Sequence, residues 1–310
     1  MEVKYLDWRD IKEINEPTVS VIGYFDGLHK GHQELVKKSQ KVAEKRGLKN
    51  SLITFSPDPN DILMKQKTKH LQKFAERLLV IASLGVDICY VINFDEDFAK
   101  LEPELFLRDV ISKLKLSALV CGFDFHYGQK GQGDADSLKK EAPFDVYVIP
   151  EVVFEKQKIS STRIKKALIN GEIELVNKLL GYKYFIGGRV VHGKRIGHKL
   201  GFPTINLAID EEVLLPKEGV YLAYSKVDDC LYPALVNIGN NPTIAANNDL
   251  TIEAHILDFD QEIYQKEVRL YLLSYLRPCQ RFDSKEDLSK QLEEDVMKAR
   301  RRLTGGYFIL

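Results

Sequence analysis

The chain has 310 residues, 44% of them hydrophobic, which is enough apolar material for two buried cores and hence two domains. Lysine plus arginine equals aspartate plus glutamate at 45 each, so the formal net charge is zero, and neither a basic surplus nor a basic stripe points to a nucleic-acid partner. The longest apolar runs, such as residues 78–82, are far too short to span a membrane, and residues 1–7 lack the apolar core of a signal peptide, so a cytoplasmic location is expected.

In chain order, residues 18–23 read as a strand and residues 30–46 as a helix with Leu35, Val36, Val42 and Ala43 on one face. A strand at 51–55 follows, then a helix at 70–84 with Leu71, Phe74, Leu78, Ile81 and Ala82 inward. A strand at 88–93, a helix at 102–114 and strands at 118–122 and 146–149 continue the alternation. Apolar strands interleaved with helices predict a parallel sheet covered on both faces. Ligands bind such sheets beyond the carboxyl ends of the strands, which brings the loops at 23–32, 55–59 and 122–133 to one edge. Helices are predicted at 161–170 and 173–180, the second ended by Gly181.

From Tyr184 the texture changes to short β-branched and aromatic strands at 184–191, 204–207, 220–227, 232–238, 251–257 and 268–275, separated by Gly, Pro and Asn turns. Six strands without interleaved helices predict a small antiparallel barrel, closed by an amphipathic helix at 285–303. The domain boundary is expected near 181–184, giving domains 1–182 and 183–310. Cys89, Cys121, Cys230 and Cys279 form no CxxC pair and read as small, reduced core residues without a disulfide or metal role.

The stretch GYFDGLHKGH at 23–32 leaves the first strand and enters the first helix. Glycines let backbone approach a ligand, and a helix N-terminus offers free N–H groups to phosphate. His29 and His32, three apart in the first turn, face the same way and can stabilise charge building on a phosphorus atom in transfer. Ser160, Ser161 and Thr162 precede a second helix, where hydroxyls and free N–H groups can cradle further phosphates. In the rear half no Walker loop occurs. Instead a glycine- and base-rich loop, residues 193–201, leads into Pro203-Thr204-Ile205-Asn206. Its amides and Lys199 can hold phosphates, and Thr204 and Asn206, on one face of a strand, can offer both oxygens to one Mg²⁺.

The front motif resembles the HxGH signature of the nucleotidyltransferases, and its fuller form GxFDGxHxGH resembles that of bacterial bifunctional riboflavin kinase/FAD synthetases. Phe55-Ser56-Pro57-Asp58-Pro59 is similar to the FxPxP loop of that family, residues 122–128 to its GxDFxFG loop, and Ile159-Ser160-Ser161-Thr162 to its ISST signature. The rear GFPTIN at 201–206 resembles the riboflavin kinase signature, followed in order by Gly219-Val220-Tyr221, Asn237-Ile238-Gly239 with Asn241-Pro242-Thr243, and Glu253-Ala254-His255. The likeness runs from about residue 15 to 302, with departures at Asp58, His126-Tyr127, Lys165 and Cys279.

The resemblance implies a Rossmann-like nucleotidyltransferase domain before the barrel, and two reactions: phosphorylation of riboflavin to FMN by ATP, then adenylylation of FMN to FAD by a second ATP. It implies Glu253 as the general base of the kinase and His29 and His32 as the catalytic pair of the adenylyltransferase. Contacts to ATP and its phosphates fall to Gly23, Phe25, Asp26, Gly27, Ser160, Ser161, Thr162, Arg163 and Lys165 in front, and to Gly193, Gly197, Lys199, Gly201 and Pro203 behind. Flavin contacts fall to Phe55, Pro57, Asp58, Asp124, Phe125, Asn237 and Arg277, with Mg²⁺ on Thr204 and Asn206. No partner protein is implied. Three rival readings stay open: a single working site, most readily the kinase; a flavin- or nucleotide-binding regulatory protein without turnover; and a nucleotidyltransferase for another acceptor, which would leave the barrel unexplained.

Overall fold

The computed structural model describes residues 1–12, 14–192, 202–240 and 250–303. The expected phosphate ligands Gly193, Gly197, Lys199 and Gly201, and the Asn241-Pro242-Thr243 motif, lie outside the described residues. The chain divides into two compact units, Met1–Ser161 and Thr162–Leu310.

The first unit is built on strands β1 (Glu2–Leu6) and β2 (Thr18–Ile22), helix α1 (Lys30–Arg46), and strand β3 (Lys49–Ser56). Next come α2 (Pro59–Met64), α3 (Phe74–Ser83), β4 (Ile88–Asn93), α4 (Pro103–Leu105) with a π-helical continuation Phe106–Ile111, and β5 (Leu116–Gly122). A two-stranded pair, β6 (His126–Tyr127) and β7 (Gly133–Asp134), leads through α5 (Ala135–Glu141) to β8 (Asp145–Ile149), and β9 (Val153–Phe154) pairs with β10 (Gln157–Lys158). The six long strands form one parallel sheet in the order β1-β4-β3-β2-β5-β8.

Every residue of β2 is buried, because both faces of the sheet are covered. Val19 packs with Val42 and Ala43 of α1 on one face, and Ile22 joins Ile53, Tyr90 and Ile92 on the other. Three of the hydroxyls that β2 and β3 bury are satisfied by one another, since Ser51 donates to Thr18 at 2.9 Å and pairs with Ser20, while Thr54 donates to Tyr24 O at 3.0 Å. Helix α1 keeps its predicted bounds since both ends are specified, by a His29 N-cap and by Gly47 at φ 65°.

Two predicted helices change shape. The helix expected at 70–84 starts at Phe74, because the Leu71 N–H is drawn instead to the Asp26 carboxylate and the Glu76 side chain accepts from Lys73 N. The helix expected at 102–114 breaks into α4, the π-helical stretch and a 3₁₀ turn Ser112–Leu114. The edge strand β1 has no counterpart among the predicted elements; none of its residues is buried and its sequence EVKYL lacks the continuous apolar run of the inner strands.

The second unit opens with α6 (Ser161–Asn170), which begins at the division, and α7 (Ile173–Leu180), capped by Gly181 at φ 83°. On sequence grounds both helices fall before a boundary at 182/183, whereas α7 packs in the barrel unit. Buried Asn177 donates to Leu272 O at 2.9 Å and accepts from Tyr184 N at 2.7 Å, so one amide ties the helix to two barrel segments. The barrel is closed, antiparallel and six-stranded: β11 (Phe185–Val191), β12 (Ile205–Leu207), β13 (Gly219–Val227), β14 (Cys230–Asn240), β15 (Leu250–Ile256) and β16 (Glu267–Arg277), in the order β11-β12-β15-β14-β13-β16. Helix α8 (Lys285–Leu303) lays Ala299 against Val220, Leu222, Leu235, Leu257 and Leu273 on the outer face. Alternation sends Tyr221, Val236, Ile238, Ile252 and Ala254 to the interior.

Candidate active sites

The first unit holds a cavity of about 780 Å³ at the carboxyl ends of the parallel strands, where the fold predicts a ligand. Gly23, Phe25, His29, His32, Phe55, Asp124, Phe125, Ser160 and Ser161 line it, so four sequence-distant segments meet in one wall. The turn after β2 reverses through Phe25 at φ 65°, Gly27 at φ 76° and Leu28 at φ 39°. Positive φ at two non-glycine residues costs energy and persists only where the surroundings over-determine it. They do here: Asp26 accepts from Leu71 N at 2.9 Å, Ser161 Oγ donates to Asp26 O at 2.8 Å, and buried Arg77 donates to Tyr24 O at 3.0 Å and Phe55 O at 3.2 Å. Arg77 thus joins the histidine loop to the Phe55 loop.

His29 and His32 come together as a stacked pair, ring centroids 3.7 Å apart and planes at 16°. His29 Nδ1 accepts the His32 backbone N–H at 3.3 Å, which places its proton on Nε2. The other face of His32 meets the edge of Phe25, and its Nδ1 is buried with no hydrogen-bond partner. Burial lowers the His29 pKa to about 4 and holds that of His32 well below its usual value. Both rings are therefore neutral near pH 7, which is also what allows them to stack. Gly31 lies between them, and a Cβ there would stand 3.0 Å from His29 Cε1 and press that ring back.

Asp26, Gly27, Pro57 and Asp58 do not line the cavity. The Asp58 carboxylate caps α2 by accepting from Asn60 N at 2.8 Å, and lies 3.3 Å from His70 Nδ1 with Asp61 beyond. Asp58 and Asp26 thus brace loops behind the cavity wall. Ser160 and Ser161 reach the cavity, and Thr162, Arg163 and Lys165 follow on α6.

Two features extend beyond the sequence motifs. Lys158, just before the serine pair, lines the cavity, pairs with Asp124 and sits 4.6 Å above the Phe123 ring. An aromatic wall runs through Phe55, Phe94, Phe98, Phe106, Tyr127 and Phe125, each ring within 6.0 Å of the next. Phe55 and Phe125 are among the expected flavin contacts and Tyr127 stands in the 122–128 motif, whereas Phe94, Phe98 and Phe106 fall outside every motif.

In the barrel, strand register aligns the expected polar residues. Glu253 is directly opposite Asn206 on β12 and directly opposite Asn237 on β14, so the carboxylate stands between two amides in one row. Directly opposed side chains share a face with Cβ atoms about 5 Å apart. That face is the outer one, shared with Leu235 and α8, and Glu253 is half-buried on it. Thr204 and Pro203 stand in the extended segment that enters β12. Arg277 also has a structural partner: its Nε and Nη2 bind buried Asp295 at 2.9 and 2.7 Å, fastening β16 to α8. Cys279 Sγ reaches Asn237 Oδ1 at 3.4 Å; Cys279 and Cys230 are exposed and only Cys89 and Cys121 are core residues, which corrects the expectation of four buried thiols.

Residues 11–163 match the family described as FAD synthetase and residues 180–303 the family described as riboflavin kinase. The chain is 37% identical over 298 residues to the bifunctional riboflavin kinase/FMN adenylyltransferase of Listeria monocytogenes, covering 95% of this chain and 93% of the relative. The protein of that description from Bacillus subtilis is 34% identical over 295 residues, 93% of each chain, and that from Escherichia coli 34% over 291 residues, 92% of each. A Streptococcus pneumoniae structure described as a macrolide-efflux protein superimposes with a TM-score of 0.88 at 32% identity, over 96% of this chain and 98% of that one. Among the described residues here, no helix is long and apolar enough to cross a membrane.

Proposed function

The chain belongs to the bifunctional riboflavin kinase/FMN adenylyltransferase family, and we propose that its two reactions run at two separate sites, one in each domain. It converts riboflavin to FMN and FMN to FAD, with ATP as co-substrate of both steps. The domains are taken as 1–182 for adenylyl transfer and 183–310 for the kinase. The observation that carries this division is that each unit assembles its own reactive set: a stacked histidine pair on a cavity in front, and a carboxylate between two amides behind.

In the front site, a phosphate oxygen of FMN attacks the α-phosphorus of ATP. The bond from that phosphorus to the β-phosphate oxygen breaks, and pyrophosphate leaves. FMN phosphate is already ionised at neutral pH, so no general base is needed. His29 and His32, kept neutral by burial, act as hydrogen-bond donors to the charge that accumulates on the α-phosphate, which the fixed loop presents without reorganisation. Lys158 adds a positive charge on the same wall. Ser160 and Ser161 hold the departing pyrophosphate, with Thr162, Arg163 and Lys165 as further ligands on their helix. The aromatic wall supplies the apolar surface that an isoalloxazine ring requires.

In the rear site, Glu253 takes the proton from the ribityl 5′-hydroxyl as that oxygen attacks the γ-phosphorus of ATP, and ADP leaves. Asn206 and Asn237 orient the carboxylate from either side. The neutral oxygens of Thr204 and Asn206, with the Glu253 carboxylate beside them, are the hard donor set that suits Mg²⁺. Bound there, the ion would neutralise phosphate charge. Asn237 and Arg277 are the flavin contacts of this reading, and Arg277 also fastens β16 to α8.

Incubation with riboflavin and Mg-ATP, followed by chromatographic separation of riboflavin, FMN and FAD, tests the reading. FAD must accumulate by way of FMN; FMN accumulating without FAD would contradict a working front site.

A further inference from the structure

Strands β12 and β15 pair from Leu207 opposite Ile252 to Ile205 opposite Ala254, and there the ladder stops. One position further, the register sets Thr204 opposite His255, and the connection is continued by a side chain. His255 Nδ1 lies 2.8 Å from the Pro203 carbonyl oxygen, and its ring meets Phe202 edge-on at 5.5 Å. A carbonyl only accepts, so the imidazole donates and its Nδ1 carries a proton. The pyrrolidine ring fixes φ at Pro203, and the imidazole fixes the direction of the Pro203 carbonyl. The peptide plane that delivers Thr204 is therefore held on both sides. His255 also shares the outer face with Glu253, two residues earlier on the same strand.

We infer that His255 is a positioning residue for phosphoryl transfer: acting through Pro203, it keeps the Thr204 and Asn206 oxygens in line with the Glu253 carboxylate. Touching neither phosphate nor flavin, it sets the spacing of the groups that do. The inference rests on the kinase reading of the barrel.

The variants His255→Ala and His255→Asn test it. The asparagine amide occupies nearly the place of the imidazole Nδ1–H and restores the donor to Pro203. Each protein is measured for Mn²⁺ binding in the presence of ADP, by loss of the free-ion electron paramagnetic resonance signal. Each is also measured for the Mg²⁺ dependence of FMN formation, and for conversion of supplied FMN to FAD as an internal check on folding. In His255→Ala, Mn²⁺ affinity should fall about 10-fold and the Mg²⁺ needed for half-maximal kinase rate rise by a similar factor, the usual scale for losing an outer support of a metal ligand. His255→Asn should stay within about 3-fold of the parent on both measures, and FAD formation should be unchanged in both variants. The inference is overturned if His255→Ala binds Mn²⁺ like the parent, or if His255→Asn is as impaired as His255→Ala. A parent protein that binds Mn²⁺ with ADP yet forms no FMN would count against the kinase reading, and the binding comparison between variants would still decide the role of His255.

Discussion

Gly31→Ala separates stability from catalysis at the front site. An added Cβ would lie 3.0 Å from His29 Cε1 and 3.1 Å from Nδ1. Carbon contacts are comfortable near ~3.5 Å, so the imidazole must retreat by roughly 0.4 Å. It cannot do so freely, because Nδ1 caps α1 through His32 N at 3.3 Å and the ring stacks on His32 at 3.7 Å. A displacement of about 1 Å in a reacting constellation costs on the order of 100-fold, so a shift of a few tenths should lower the rate of FMN adenylylation about 10-fold. Alanine meanwhile gains about 0.5–1 kcal/mol over glycine in helical conformation, which offsets the loosened cap. The expected result is a variant that melts within a few degrees of the parent, phosphorylates riboflavin normally, and makes FAD from FMN and ATP about 10-fold more slowly. A folded Gly31→Ala protein with the parent adenylylation rate would refute the role given to the stacked pair.

Further outcomes follow from the same geometry. Glu253→Gln removes the proton acceptor, and FMN formation should drop by about 10²- to 10⁴-fold while supplied FMN is still converted to FAD; an unchanged kinase rate would remove Glu253 from the reaction. Burial lowers the His29 pKa from 6.5 to about 4, so as pH falls the unfolded chain takes up a proton before the folded one does. The stability this group contributes is therefore whole above pH 6.5 and lost progressively toward pH 4. Within that window His29→Gln should reduce the slope of unfolding free energy against pH by up to about 1.4 kcal/mol per unit; urea melts with identical slopes would contradict it. Asp295→Ala leaves the largely buried Arg277 guanidinium without its carboxylate and should destabilise the rear unit by about 3 kcal/mol, read by denaturant unfolding, with a loss below 1 kcal/mol as the refuting result.

Much of this was legible in the sequence where local rules and tertiary structure agree. Helix α1 could be bounded from its ends, and the barrel strands from alternation and turn residues, because capping and pleat are local. The histidine pair was legible because glycine spacing and a helix start coincide. Sequence reasoning failed where a distant group claims a residue. His70 and Leu71 carry helical periodicity, yet Asp26, 45 positions away from Leu71, takes the Leu71 N–H and delays the helix. The motif around Asp58 likewise carries no sign of its bond to Asn60 or of His70, a neighbour twelve residues on. Arg77 lies in an amphipathic helix whose pattern says nothing of the two carbonyls its guanidinium meets. Helix α7 reads as the end of the front domain 1–182, and the bonds of its Asn177 to Leu272 and Tyr184, which leave no local pattern, tie it to the barrel.

The central claim is that one chain carries two independent sites, and complementation between variants tests it most directly. Glu253→Gln should make no FMN from riboflavin, and His32→Ala should stop at FMN. Mixed in one vessel with riboflavin and Mg-ATP, the two should together form FAD, because FMN released by the second is a substrate for the first. A mixture that makes no FAD, although folded Glu253→Gln converts supplied FMN, would contradict exchange of FMN between separate sites. A folded single variant that loses both steps would contradict the two-site account itself.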